Sequence, residues 1–430
     1  MGIFLLFFEF YYIKMSATYK IFIVFLLGII TSCSSFVPLE RADYLRSDSA
    51  LVAYLRGENI EVTDRNNIEF LNGGVEKFPR LFEDVRNAKK HIHLEYFNFR
   101  NDSLNEILIS LLAEKAAEGV KVRALFDAFG NSSNNRPLKK SHLEEIRSKG
   151  IEIVKFDPLR FPWLNYAFSR DHRKIVVIDG EIGYTGGINV ADYYVDGLEG
   201  IGKWRDMHAR VEGESVAKLQ DIFLAMWNEE TGQNVGGNSY YPAGSVAGNV
   251  DIAVVDRWPG KNPKQMRRVY ANAINAAKDS VQLINPYFVP TPIIRKALKK
   301  AVADGVKVEI MISAKSDIPF TPDGAYHVGN KLAKLGADVY LYAGGFNHSK
   351  IMSIDGKFCT VGSTNLNSRS LFYDYEDNLF IFDSCATAEM WKLYNADKRE
   401  SYKLTREVWK KRSWWRKFNG WLANLLTPFI

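Results

Sequence analysis

The sequence predicts an α/β protein made of two similar units in one chain, related by a pseudo-twofold axis, with one site at their interface. Three observations predict it. His172-Arg173-Lys174-Ile175-Val176-Val177-Ile178-Asp179, followed by Gly186-Gly187-Ile188-Asn189, returns as His348-Ser349-Lys350-Ile351-Met352-Ser353-Ile354-Asp355 and Gly362-Ser363-Thr364-Asn365. The His, Lys, Asp, Gly and Asn of the two copies keep one offset of 176 residues in a chain that has only seven histidines, so chance is a poor account. Each copy also follows a strand–helix–strand pattern, and Gly119-Val120-Lys121-Val122 returns letter for letter as Gly305-Val306-Lys307-Val308.

The 430 residues suffice for two domains, and a hydrophobic fraction of 47% supports a sizeable core. The net charge of +6 is a mild basic excess. It suits an anionic surface or a phosphate-bearing substrate, and equally simple solubility, and it falls short of a nucleic-acid groove. Cys33, Cys359 and Cys385 form no CxxC pair, which argues against a zinc site. Cys359 and Cys385 lie in apolar runs and read as buried thiols.

In chain order, residues 1–33 read as a signal or anchor. Ile21 to Ile30 is an apolar run too short for a comfortable membrane span but suited to a signal core. It ends in Ile30-Thr31-Ser32-Cys33, a lipobox-like stretch in which Cys33 would carry a lipid; the rival is an uncleaved anchor. Residues 34–65 read as a leader without period. The first unit spans 66–235: His91 to Phe97 alternates as a strand, Leu104 to Glu118 is an amphipathic helix stopped by Gly119, and Val120 to Phe126 is the next strand. A Gly- and Ser-rich linker covers 236–250. The second unit, 251–395, repeats the order with a strand at Val281 to Pro286, a helix at Ile293 to Ala303 and a strand at Val308 to Ile312. The tail, 396–430, interleaves four of the nine tryptophans with cations. It reads either as a helix for a membrane interface or as a docked helix with its Trp in the core.

Residues two apart on a strand share a face, so His172 and Lys174 point the same way, as do His348 and Lys350. Asp179 and Asp355 belong to the same catalytic motif. Seven positions beyond their histidines, they would point oppositely, and we read them as local structural partners. Asn189 and Asn365 return to the pocket after the Gly-Gly and Gly-Ser turns. Two imidazoles, two ammonium groups and two amides make an anion trap suited to a phosphodiester. Lysines and amides hold the non-bridging oxygens. One His attacks phosphorus and the other serves as acid, then base. The lysines supply the positive charge, so neither metal nor cofactor is expected.

The double HxKxxxxD with GGxN or GSxN resembles the phospholipase D superfamily and, more finely, the bacterial cardiolipin synthases. The likeness extends from about Leu71 to Asp383. It includes His93-Leu94-Glu95-Tyr96, Tyr184-Thr185-Gly186-Gly187, Trp204-Arg205-Asp206, Asn285-Pro286-Tyr287-Phe288-Val289-Pro290, Gly345-Phe346-Asn347-His348, Ser368-Arg369-Ser370 and Glu376-Asp377-Asn378. The resemblance implies the phospholipase D fold, two α/β/α sandwich domains sharing one active site. It implies Asp206 as the carboxylate orienting His172 and Glu376 as that orienting His348. It also implies Ser363, beside Asn189 and Asn365, at the substrate phosphate, and His172 as nucleophile with His348 as acid and base. The implied reaction transfers phosphatidyl from one phosphatidylglycerol to another at a bacterial cell membrane, without nucleic acid. Hydrolysis by the same histidines, a nuclease and an inactive lipid-binding protein are the alternatives. Asp171 stands where the family commonly has Asn, and Asn367 where it commonly has Asp.

Overall fold

The computed structural model describes residues 48–157, 169–242, 247–318 and 321–427. The apolar run at Ile21 to Ile30 and Cys33 lie outside the described residues. Among those described, no helix is long and apolar enough to cross a membrane.

The first half contributes strands β1 (Val62–Asn72), β2 (His91–Tyr96), β3 (Lys121–Asp127), β4 (Glu152–Phe156), β5 (Lys174–Ile178), β6 (Ile182–Gly186), β7 (Lys203–Arg205) and β8 (Met207–Gly213). The second contributes β9 (Val250–Arg257), β10 (Ser280–Ile284), β11 (Lys307–Ser313), β12 (Asp338–Tyr342), β13 (Gly345–Asn347), β14 (Ile351–Ile354), β15 (Phe358–Gly362), β16 (Glu376–Phe382) and β17 (Ser401–Lys403). All but β7 and β13 join one sheet in the order β17-β12-β11-β10-β14-β15-β16-β9-β1-β8-β6-β5-β2-β3-β4. Read outward from its centre, β1-β8-β6-β5-β2-β3-β4 matches β9-β16-β15-β14-β10-β11-β12. The duplicated units are thus two halves of one sheet, joined where β1 pairs antiparallel with β9.

The described part of the expected leader belongs to the fold: residues 48–57 are the helix Asp48–Gly57, and Val62 to Arg65 begin β1. The sequence hides this strand because Asp64 and Arg65 interrupt its alternation. They fall in a bulge between Thr63 and Asn66. The fully buried Asn66 stitches the bulge: its Nδ2 donates to the carbonyls of Thr63 and Val250, and its Oδ1 accepts from the Ser215 amide at 2.7 Å. One apolar cluster then crosses the join, from Ile175, Val177 and Ile222 to Val254, Met311, Val361 and Met390. Cys359 is buried in it, whereas Cys385 is exposed on the helix Ser384–Arg399, contrary to the expected burial.

Local signals set the remaining elements. Asp102 caps the helix Ser103–Ala117, and Gly119, at φ 94°, ends it in a conformation that L side chains disfavour. In the linker, Tyr240 lies against the rings of His91 and His93 at 4.8 and 5.5 Å, and its hydroxyl accepts from Arg123 at 3.2 Å.

The motif aspartates stand at the end of β5 and β14 remote from the histidines. Asp179 accepts from the amides of Lys89, Lys90 and His91 at 2.7 to 2.9 Å, and Asp355 from those of Lys278, Asp279 and Ser280 at 2.7 to 2.9 Å. Each sits in the left-handed region, at φ 56° and 54°. They tie the start of β2 and β10 to the neighbouring strand and do not face the pocket, which corrects their grouping with the catalytic residues. Asp179→Ala is expected to cost about 2–4 kcal/mol, because three amides lose a charged acceptor, and Asp179→Asn about half as much. Denaturant melts check this. A variant of unchanged stability with its activity gone would return Asp179 to the chemistry.

The tail helix docks on the fold, but without burying its tryptophans. Helix Trp414–Leu425 lies on helix Thr321–Ala333 through its small residues. A Cβ on Gly420 would stand 2.3 Å from the Asp323 carbonyl, and one on Gly324 3.1 Å from Ala423. The tryptophans point outward instead of into the core.

Candidate active site

His172 and His348 lie just before β5 and β14, and each is fastened to the other half. The His172 amide donates to the Tyr375 carbonyl at 3.1 Å, and the His348 amide to the Arg205 carbonyl. Asp171 bridges to Tyr375, and β13 pairs in parallel with β7. In both cases the next residue along is a carboxylate. His172 Nδ1 therefore lies 3.0 and 3.1 Å from the Glu376 oxygens, and His348 Nδ1 lies 2.7 Å from Asp206 Oδ2. This reverses the implied pairing: Glu376 orients His172 and Asp206 orients His348. Carboxylates donated within each half would fit the sequence order, but the short parallel contacts cross the join and carry each carboxylate with them. With Nδ1 protonated towards its carboxylate, Nε2 of each ring is the atom left for chemistry.

Lys174 and Lys350 are fully buried, and each donates one bond to the carbonyl of the histidine two residues back. An ammonium has three donors, so capacity remains for an anion. Burial, only partly offset by nearby carboxylates, pushes Lys174 down to about 8. Burial and the Lys174 charge, against the pull of Asp206, push Lys350 down to about 7. Burial, Lys174, Lys350 and His348 hold His172 well below the usual imidazole range. The carboxylates differ. Burial pushes Glu376 up to about 7, whereas at Asp206 burial is outweighed by Lys350 and His348, which keep it below the usual carboxylate range. His348 is lowered by burial and Lys350, with Asp206 opposing. A neutral His172 thus faces a His348 whose partner stays anionic.

Asn189 is buried, with Nδ2 on the Tyr194 hydroxyl at 3.2 Å and Oδ1 unpartnered; Asn365 Oδ1 is buried and unpartnered too. Amide orientation is an assignment, and turning Asn189 over lets Tyr194 donate to its oxygen and frees its NH2. Ser363 does another job than the one implied. Its hydroxyl donates to Glu376 at 2.5 Å and accepts from the Asp377 amide at 3.0 Å, so it fixes a carboxylate and has no hydrogen left for phosphate. The matching position is Gly187, where a Cβ would stand 2.1 Å from Asp206 Oδ1.

Aromatic rings wall the histidines. Phe97 meets the His172 ring at 5.1 Å, and Trp204, Tyr287 and Phe346 surround that of His348 at 5.5 to 5.8 Å. The side chains of His172 and His348 are 13% and 7% exposed, which leaves a narrow opening.

Sequence reasoning missed several supports. Arg173, on the opposite face from its neighbours, binds Glu95 at 3.2 Å and Asp256 at 2.5 Å. Thr185 donates to Asp377 across the halves at 2.5 Å, and Tyr287 to Asp317 at 2.7 Å. Lys77 is buried and donates to Tyr96 and to the Ile188 carbonyl at 2.9 Å. Glu95, Thr185, Tyr287 and Asp377 lie in the stretches that resemble the family, which marked the segments without showing these contacts; Lys77, Asp256 and Asp317 carried no signal. The two departures from the family pattern have plain accounts. Asp171 accepts from the Arg173 amide as Asn347 does from that of Ser349, and burial, then the Glu95 charge, push its carboxyl well above the usual carboxylate range. Asn367 caps the helix Ser368–Phe372.

A family model described as cardiolipin synthase, PLD-like domain, matches residues 81–227 and 270–398. The cardiolipin synthase of Oceanobacillus iheyensis is 34% identical over 392 residues, covering 91% of this chain and 81% of that protein. Cardiolipin synthase 2 of Staphylococcus epidermidis is 35% identical over 402 residues, covering 91% and 82%. Among solved structures, phosphatidylserine synthase of Haemophilus influenzae matches with a TM-score of 0.68 at 14% identity, covering 89% of this chain and 99% of that one. Polyphosphate kinase of Porphyromonas gingivalis gives 0.53 at 14%, covering 87% and 52%. At that identity both speak for the fold alone. Matched by the family model in both halves, and by these relatives along most of its length, the chain belongs to the cardiolipin synthase family of phosphatidyltransferases, in the phospholipase D superfamily.

Proposed function

We propose that the protein joins two phosphatidylglycerol molecules into cardiolipin and glycerol at a phospholipid membrane. The observation that carries the reading is the pair of carboxylate-oriented histidines, each with a buried lysine two residues on that donates to its carbonyl, in a chain of this family. His172 Nε2 attacks phosphorus of the first lipid. The bond from phosphorus to the glycerol headgroup oxygen breaks, and His348 gives that oxygen its proton. The headgroup hydroxyl of a second lipid then attacks phosphorus and loses its proton to His348, and His172 departs. Lys174 and Lys350, with Asn189 and Asn365, hold the non-bridging oxygens, where charge builds in the transition state. The two imidazoles would divide these steps, with Glu376 behind His172 and Asp206 behind His348. The aromatic wall favours transfer over hydrolysis, because it limits water at the intermediate.

The test is a product assay. The full chain in detergent micelles with phosphatidylglycerol alone is expected to make cardiolipin and glycerol in equal amounts. Phosphatidic acid as sole lipid product would replace the synthase with a hydrolase.

The lysines predict a pH profile. An ammonium is present below its pKa, and in the free enzyme these lie near 7 for Lys350 and 8 for Lys174. The ratio kcat/KM is therefore expected to fall as pH rises through 7 to 8. By contrast, kcat should hold to higher pH, because a bound phosphate favours the charged lysines. A kcat/KM that stays level from pH 6 to 9 would contradict this.

A further inference from the structure

The tail helix Trp414–Leu425 divides sharply by face. Asn419, Gly420 and Ala423 are buried against helix Thr321–Ala333. The opposite face carries Trp414, Trp415 and Trp421, 72%, 58% and 48% exposed, with Leu422 and Leu425 beside them. Positions 414, 418, 421, 422 and 425 recur at helical spacing, so this is one stripe and not scattered apolar residues. Its rings are ordered among themselves, with Phe418 stacked on Trp414 at 5.5 Å and on Trp415 at 5.7 Å. Small residues on the inner face bring the two helix backbones close, which holds the aromatic face outward on a fixed platform. Arg412 pairs with Asp323, and Arg295 donates to Asn424 at 2.6 Å, which fix it further.

The stripe is flanked by cations. From Arg406 to Lys417 there are six Lys or Arg and one Glu. Beneath, Arg295, Lys299 and Lys334 crowd Lys331, whose ammonium is pushed below its usual range by burial and then by these three. A second copy of the chain would bring the same charge against itself. An anionic sheet with an apolar interior fits both parts: indole rings sit at headgroup depth, and cations meet lipid phosphate.

The helix is also well placed. Tyr287, against the His348 ring, donates to Asp317, and Ile318 beyond it is 41% exposed. Helix Thr321–Ala333 lies against the same segment, since a Cβ on Gly324 would stand 3.1 Å from Val289, two residues beyond Tyr287, and the start of this helix is what Gly420, Ala423 and Arg412 grip. The aromatic stripe thus flanks the His348 side of the site.

We infer that the helix Trp414–Leu425 is an interfacial docking element that seats its tryptophans in an anionic phospholipid surface beside the entrance to the site. The inference rests on the reading that the substrate is an anionic phospholipid in a membrane.

Brominated lipids, which quench nearby tryptophan, test it with the full chain. Vesicles of brominated phosphatidylglycerol are expected to quench the emission. Most of that quenching should vanish in the triple variant Trp414→Phe, Trp415→Phe, Trp421→Phe, which keeps the apolar face and the fold. Brominated phosphatidylcholine should quench much less, and Lys410→Gln with Lys411→Gln should raise the phosphatidylglycerol fraction needed. Equal quenching in wild type and triple variant overturns the inference, wherever else the chain touches lipid. Equal quenching by both lipids overturns its anionic part. Tail tryptophans already blue-shifted and shielded without lipid would assign the stripe to a second copy of the chain. Product analysis on the same vesicles separates the two readings, since quenching that persists without cardiolipin formation sinks the proposed reaction and leaves the docking element standing.

Discussion

His172→Ala is expected to abolish formation of the phosphoenzyme, and His348→Ala to let it form and then hold it. The two losses of turnover should be similar in size, each on the order of 10³-fold or more, because each residue is needed once per cycle. Their characters should differ. A phosphodiester with a nitrophenolate leaving group needs no proton to depart. His348→Ala should therefore still release one equivalent of nitrophenol in a burst, while His172→Ala releases none. The expectation follows from the asymmetry of the partners: Glu376 is pushed up to about 7 by burial, and Asp206 is kept ionised by Lys350 and His348. An anion behind His348 suits a ring that must carry a proton, and a neutral ring suits a nucleophile. A burst from His172→Ala and none from His348→Ala would exchange the roles.

The second large effect concerns the crossed carboxylates. Replacing an orienting carboxylate by its amide leaves the space filled but favours the wrong imidazole tautomer, and a loss of about 10²–10⁴-fold is expected for each. Glu376→Gln should slow the burst itself, because its partner is His172. Asp206→Asn should leave the burst nearly intact and slow every later turnover, because its partner is His348. Carboxylates acting within their own half would give the opposite result, so one substrate decides between the arrangements. Adding Asp206→Asn to His348→Ala should cost little more, since both act through one ring.

Most of the scaffold was legible because its signals are local. The strand at 91–97, the helix at 104–118 and their second-half counterparts lie within a residue or two of the observed elements, since alternation, helical spacing and Gly119 are written in neighbouring residues. The leader was missed because the bulge at Thr63 to Asn66 breaks the alternation of β1, and because its partners are remote in sequence. The histidines and lysines were legible through repetition. Which carboxylate serves which histidine was not, since a constant offset shows what is repeated and says nothing of which copy faces which. Ser363 was misread for a related reason: its matched position is Gly187, and only the structure shows what fills the space a glycine leaves open.

The join between β1 and β9 has a consequence for history. Two identical chains meeting about a twofold axis necessarily exchange contacts, so that whatever the first gives the second, the second returns. The paired donations of Glu376 to His172 and Asp206 to His348 have that reciprocal form within one polypeptide. An ancestral homodimer, fused by the segment around Tyr240, would leave this trace. Within one polypeptide the two copies can differ: the carboxylate behind one histidine is Glu376 and that behind the other Asp206, and the position held by Gly187 in one half is held by Ser363 in the other.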